Sequence, residues 1–383
     1  MQQHNPSLAL DRRKFLIAAS TVLGVAPTVS RGADSSGIVL RTGSQDLYRI
    51  RMEVEMKGNV KLPGNPLISR EKTLKLPIDS KASFEYEERL HLPATTGVSR
   101  ATGQATETVA SGNRCIAAER YYHRADAVST LNKTQHSVQL RESVRDTIVR
   151  QDSRPEQIYG LEDFFERDEL ELLHAPVSSM AIDQLLPAKP ISLGSKYAVS
   201  ANSMASVLNL TAVMACNVEA EVVAVDEKEV RIQLRGDVDG AIDGVPTIIR
   251  TLGKLTFDRN ISSCTWLAMA LHETREIGRA EPGFDVAATI KMLRQPLKRT
   301  IALPTAVRKI DVSRPAAANL QFVSVKSEEL GLRVLMDRRW RMMKDQPGAA
   351  MMRMVKNDRS IGQCDIQPVP PPADGQPWSL TAF

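Results

Sequence analysis

Residues 47–56 read LYRIRMEVEM. Tyr48, Ile50, Met52, Val54 and Met56 alternate with Arg49, Arg51, Glu53 and Glu55, so apolar and charged side chains fall on opposite faces of an extended chain. One buried face and one wet face mark a strand of an antiparallel sheet. The alternation returns at 72–76 and 82–92, after a Pro/Gly turn at 62–66. Residues 94–113, rich in Thr, Ser, Gly and Ala, read as a loop, and 115–122 and 137–146 as two more strands. Further along, 216–225 and 229–238 flank a tight turn at Asp226-Glu227-Lys228, and 245–257 and 262–273 complete about four antiparallel strands. Sequential hairpins with few helices between them exclude a doubly wound parallel sheet.

Between these two runs the period changes. Leu161, Phe164, Phe165, Leu170, Leu172 and Leu173 recur near 3.6 residues among charged neighbours, which predicts an amphipathic helix over 161–173. A second helix is expected over 177–186, stopped before Pro187, and a short one near 202–208. The resulting expectation is an α+β, mainly β fold, in which a curved antiparallel sheet packs on a helical insert near 161–186. The β-rich domain spans 37–280. Pro282, Pro296, Pro304 and Pro315, with alanines at 316–318, predict a linker over 281–319. A small α/β C-terminal unit over 320–383 then reads as incomplete.

Composition narrows the function. A hydrophobic share of 42% and a charged share of 25% are ordinary for a globular protein. Aromatics make up only 4%, so the core must come from Leu, Val, Ile, Ala and Met, and neither a carbohydrate cleft nor a base-stacking platform is well supplied. The net charge is +5, but Arg12, Arg13, Lys14 and Arg31 sit in the first 33 residues, which form a charged segment, an apolar run over 17–29 and a small-residue exit. Without that segment the chain is nearly balanced, with a slightly acidic body and a basic C-terminal part. Nucleic acid is therefore not the expected partner. The apolar run is shorter than the roughly 20 residues a spanning helix needs, and no later stretch is long and apolar enough for a transmembrane span.

Several constellations are candidates for chemistry. Asp237, Asp239 and Asp243, in a Gly-rich stretch, could offer hard oxygen ligands to a metal such as calcium, or simply supply turn geometry. Cys216 and Cys264, in neighbouring predicted strands, are the favoured disulfide among four cysteines. Arg338, Arg339 and Arg341 around Trp340 form a basic cluster suited to an interaction surface, or to the outer side of a strand. His123 and His272 could serve acid–base work only with a carboxylate in reach. No Gly-x-Ser-x-Gly, P-loop, dinucleotide or His-Glu-x-x-His motif occurs, so the sequence does not identify a cofactor, which stays unknown at this point.

Arg12 and Arg13 followed by Lys14, Phe15 and Leu16 resemble the twin-arginine export signal of bacteria, with Asp11 in place of the usual Ser or Thr. The resemblance implies the twin-arginine machinery as a partner and a mature protein that is periplasmic or extracellular. Phe322-Val323-Ser324, Leu330-Gly331-Leu332, Arg339-Trp340, 350–355 and 361–366 resemble the opening of a PsbP/Mog1 superfamily domain, which implies an α/β/α sandwich without a general catalytic set. The body is similar in layout to carriers of the LolA/LppX kind, which curl a sheet around helices and leave an apolar cavity. The expected function is a non-enzymatic binding or structural module of the cell envelope, with an apolar small molecule held between sheet and helix at Leu161, Phe164, Phe165 and Leu172, or with an envelope protein as partner. The alternatives are a hydrolase with a dispersed His/carboxylate site and an interaction module using the basic C-terminal unit.

Overall fold

The computed structural model describes residues 37–43, 45–64, 72–91, 115–151, 154–312, 314–327 and 329–368. The export signal with Arg12, Arg13, Phe15 and Leu16, the loop expected over 94–113, and residues 377–383 lie outside the described residues. The period-two stretches form long strands: β1 (Leu47–Pro63), β2 (Thr73–His91), β3 (Ala117–Leu131), β8 (Ala212–Val225), β9 (Glu229–Ile242), β10 (Val245–Asp258), β11 (Ser263–Arg275) and β12 (Gly283–Pro296). Shorter strands are β4 (Thr134–Gln139), β5 (Asp146–Arg150), β6 (Gln157–Gly160) and β7 (Lys196–Ala198). All twelve join one antiparallel sheet in the order β6-β5-β3-β2-β1-β12-β11-β10-β9-β8-β7, with β4 also paired to β3.

Register explains the single apolar face. Val222, Ile232, Leu255, Leu267, Met292, Met52 and Phe84 stand opposite one another strand by strand from β8 to β2. Each fully buried Leu or Ile in such a row contributes about 1.5–3 kcal/mol relative to exposure. Two glycines permit the close approach of long strands: a Cβ at Gly58 would lie 2.2 Å from the Asp285 carbonyl oxygen, and one at Gly236 2.0 Å from that of Asn217.

The connection from β6 to β7 runs from one edge of the sheet to the other and packs on the apolar face. It holds α1 (Arg167–Leu173) and a 3-10 turn (Ser179–Leu185); α2 (Ala201–Val207) follows β7. The helix expected over 161–173 is thus shorter than its pattern. Arg141 donates to the Phe164 carbonyl and Asp163 accepts the Phe164 N–H, which holds the approach irregular. A capping box between Glu166 and Glu169 then starts the helix. The segment expected as a strand over 137–146 is likewise divided, with a 3-10 turn at Glu142–Val144 between β4 and β5.

The expected linker over 281–319 is corrected in its first half. Gly283–Pro296 is β12, which pairs with β1 on one side and β11 on the other and so joins the two runs of strands at the centre of the sheet. Pro282 and Pro296 bracket this strand rather than break it. The second half, from Leu297 on, is an irregular strap along the other face. After a 3-10 turn at Ala318–Gln321 come the hairpin β13 (Phe322–Ser327) and β14 (Leu332–Asp337), then the meander β15 (Trp340–Gln346), β16 (Ala349–Lys356) and β17 (Arg359–Ile366). From Phe322 on, the described residues of this unit hold strands and turns alone, not the expected α/β mixture. Val323, Val325 and Met352 belong to the same contiguous core as the sheet and the insert.

Candidate functional site

One end of the apolar face carries charge. Tyr48 on β1 stands opposite Glu88 on β2, and Glu88 opposite Arg120 on β3. Arg294 on β12, next to Ile50, extends the row. All four are buried. The insert supplies their partners. Ser179 donates to Glu88 (2.7 Å) and accepts from the Tyr86 hydroxyl (2.8 Å) and from Arg120 (3.1 Å). Arg120 donates from Nε to Glu88 at 2.8 Å. Four residues further along, Asp183 accepts from Arg294 Nη1 (2.5 Å) and from the Cys264 backbone N–H (3.0 Å). The Arg294 guanidinium also lies 3.8 Å from the Tyr48 ring centroid.

Burial raises the Tyr86 phenol far above its ordinary range, against the opposing pull of Arg120. Burial also pushes the Cys115 thiol up to about 12, so it is protonated and unreactive at neutral pH. Arg294 Nε and Nη2 and Glu88 Oε2 make no hydrogen bond to protein groups. Beside Arg294, a cavity of about 10 Å³, lined by Thr42, Gln45, Tyr48, Cys115 and Asp183 among others, has room for about one water. A second, of the same size, lies between Glu156 and Ser206.

The opposite face of β2 and β3 carries a second set of charges, which the strap covers. Glu87 accepts the backbone N–H groups of Ile301 (2.9 Å), Ala302 (3.0 Å) and Leu303 (3.3 Å). Glu119 accepts the N–H of Arg308 at 3.1 Å, while Arg89 donates to the Pro304 carbonyl at 2.7 Å. Arg308 also reaches Asp146 at 2.9 Å. Burial works to raise both carboxyls, but it is outweighed. The strap amides and His123 hold Glu87 below the ordinary range, and His91, the Arg308 amide and Arg89 do the same for Glu119.

Every described histidine meets a carboxylate. His123 lies 2.8 Å from Glu87, His91 2.9 Å from Glu119, His272 3.0 Å from Asp285, His136 3.1 Å from Asp168 and His174 3.9 Å from Glu171. Among the described residues no histidine ring hydrogen-bonds a hydroxyl or thiol; the Cys115 thiol donates to the His91 backbone carbonyl, at 3.9 Å, and not to its ring. Glu87 and Glu119 also spend their oxygens on the strap.

The other sequence candidates are scattered. Phe165 and Leu172 are buried in the core, Phe164 packs toward Phe322 with centroids 6.4 Å apart, and Leu161 is 40% exposed. The space between sheet and insert is filled by Phe165 and Leu172 with Leu170, Leu173, Met180 and Ile182. The expected Cys216–Cys264 pairing is not formed. Both are free thiols, and their strands, β8 and β11, are separated by β9 and β10, because β8 to β12 fold as a meander in which only consecutive strands adjoin. Asp237, Asp239 and Asp243 do not converge either. The first two lie along β9, Asp243 sits in the following turn with φ 48°, and no group of three metal-ligating side chains occurs among the described residues.

Arg338, Arg339 and Arg341 are all engaged. Arg338 donates to the carbonyls of Ile158 (2.9 Å), Gln321 (3.2 Å) and Leu320 (3.2 Å), Arg339 pairs with Asp337 (2.9 Å) and Arg341 with Glu281 (3.3 Å). Arg167 of α1 donates to the carbonyls of Arg338 and Trp340, both at 2.7 Å. Burial, then the neighbouring Arg167, lowers the Arg338 guanidinium to about 10. The sequence did not single out Glu88, Arg120, Asp183 or Arg294. The only signal for Glu88, Arg120 and Arg294 was a charged residue at an inward position of an alternating strand, and Asp183, in the 3-10 turn, had none.

No family model and no curated protein matches the chain. Among solved structures it is similar to one of lipovitellin, described in terms of lipid–protein interactions, with a TM-score of 0.37 and 8% identity. The match covers 75% of this chain and 29% of that one, so the chain spans under a third of the lipovitellin chain. At that level the likeness carries no functional argument.

Proposed function

We propose that the protein is a non-enzymatic binding or structural module of the bacterial cell envelope, exported through the twin-arginine route by its first 33 residues. The observation that supports this reading is the two-sided locking of strands β1–β3. The insert is pinned to one face through Ser179 and Asp183, and the strap to the other through Glu87 and Glu119. The charged groups that could have served catalysis are used to hold chain segments in place. No helix of the described residues is long and apolar enough to cross a membrane.

An apolar ligand between sheet and insert is the finer version of this reading. It would have to take the place of Phe165, Leu170, Leu173 and Met180, which occupy that space. Native mass spectrometry of the protein purified without detergent, with organic extraction of the same sample, separates the two versions. The structural version predicts the mass of the polypeptide alone, and a stoichiometric lipid establishes the carrier version. Substituting Arg12 and Arg13 by lysine should retain the chain inside the cell, and unchanged fractionation would reject the export route.

A further inference from the structure

The hairpin of β1 and β2 runs on past the end of the core. On the inner face the core stops at the row Val54, Ala82, Ala127 and Val138. The next row, Met56, Ser80, Ser129 and His136, is mostly polar. Beyond it the same face turns apolar again: Ile78 stands opposite Leu131, Leu76 opposite Val60 and Leu74 opposite Leu62. Leu74 is 47% exposed and Leu131 39%. Neither these two nor Leu62, Leu76 and Ile78 belong to the contiguous core, so the alternation continues where no core receives it. Such a patch beyond a polar rim marks a contact surface.

The outer face of the hairpin changes in step. Nearer the body its lysines face acids across the strands: Lys81 meets Glu55 at 3.3 Å and Lys57 meets Asp79 at 2.8 Å. Toward the tip Lys61 stands directly opposite Lys75, where like charges repel. Two more lysines lie close by. Lys72 accepts the Gly64 N–H that closes the hairpin, and Lys133 sits in the turn after Leu131. None of the four side chains pairs with an acid among the described residues.

We infer that the tip of this hairpin docks on an anionic lipid bilayer, with Leu74 and Leu131 at the acyl boundary and Lys61, Lys75 and Lys133 among the headgroups. An element with leucines on one face and lysines on the other settles at that interface, the lysines reaching the phosphates along their methylene stems. Anionic headgroups also relieve the repulsion between Lys61 and Lys75. A second copy of this chain would increase it, since it brings the same lysines. A protein partner would need acids fixed opposite each lysine, whereas headgroups diffuse to them. This inference does not depend on the function proposed above.

Vesicles containing phosphatidylglycerol test it, with pure phosphatidylcholine vesicles for comparison. The full chain carries either Leu74→Trp or Leu193→Trp, and the emission of the unsubstituted chain is subtracted. Leu193 is 64% exposed and precedes β7, at the opposite edge of the sheet. The first 33 residues are the same in both variants, so the difference between them reads the hairpin. Circular dichroism confirms that each variant is folded. On phosphatidylglycerol the Leu74→Trp emission should shift to the blue and be quenched by lipids brominated near the headgroup, while that of Leu193→Trp stays unquenched. Adding Lys61→Glu and Lys75→Glu to Leu74→Trp should raise the lipid concentration at half quenching roughly twentyfold or more, since each lysine near an anionic surface is worth about fivefold. A chain that sediments with the vesicles while Leu74→Trp stays unquenched overturns the inference, as does equal quenching on phosphatidylcholine or at Leu193→Trp. An emission that poly-glutamate shifts and vesicles do not assigns the tip to an acidic protein, and overturns it too.

Discussion

The half of the sheet from β6 to β12 and the half from β11 to β7 are built from the same kind of strand and held by different forces. In the first half buried charges sit on both faces. Glu88, Arg120 and Arg294 meet the insert, and Glu87 and Glu119 meet the strap. In the second half the inner face is almost wholly apolar, through Val230, Ile232, Leu234, Leu255, Leu267 and Met269, while Arg231, Gln233 and Arg235 face water. Apolar packing holds an element down but does not choose its register, whereas a buried carboxylate admits few partners. The half that must hold two irregular segments in place is the half that carries the charges. Removing charges should therefore damage the first half most, and removing methylenes the second.

The largest expected effect is in the charged row. Glu88→Ala leaves Arg120 buried without its carboxylate and should cost about 3–5 kcal/mol, measured by urea unfolding. Replacing both, as Glu88→Leu with Arg120→Met, should recover most of that loss, and a double variant as unstable as the single one would break the comparison. In the apolar half Leu267→Ala should cost about 2–5 kcal/mol, with no pH dependence of its own. Arg338→Ala removes the donor to three carbonyls at the β6 edge and should cost about 1–3 kcal/mol, read as a lower urea midpoint of the whole chain.

Acid should act most on the first half. Glu87 and Glu119 have depressed carboxyls, so their contribution is complete above the unfolded carboxylate range, near pH 4.3, and fades as pH falls through their lower folded values. Hydrogen exchange should show the amides of Ile301, Ala302, Leu303 and Arg308 protected at pH 6 and opened at strongly acid pH, relative to amides of β9 and β10. Equal protection at both pH values would mean that the strap is not held by these carboxylates. The smallest effect belongs to Leu161→Ser, expected within about 0.5 kcal/mol because Leu161 is largely in solvent.

This comparison also shows what the sequence could reveal. The apolar half was legible: alternation placed β8 to β11 within a few residues, and the turn at Asp226-Glu227-Lys228 lies between β8 and β9. The locked half was legible where it alternates, at β1, β2 and the first part of β3. Glu88, Arg120 and Arg294 stand at inward positions where alternation leads one to expect apolar side chains, and no local signal says that Ser179 or Asp183, far away in sequence, will meet them. β12 was hidden because its flanking prolines outweighed its own alternation. The strap was hidden because its structure lies in its amides, bound by side chains on other strands, rather than in any period of its own.

The central claim is that sheet, insert and C-terminal unit share one core and stand or fall together. Two single-tryptophan variants report on it, one keeping Trp266 on β11 and the other Trp340 at the start of β15. The account predicts coincident urea transitions in the two fluorescence signals, with equal midpoints and slopes. A Trp340 transition completed while Trp266 still reports a native sheet would contradict it.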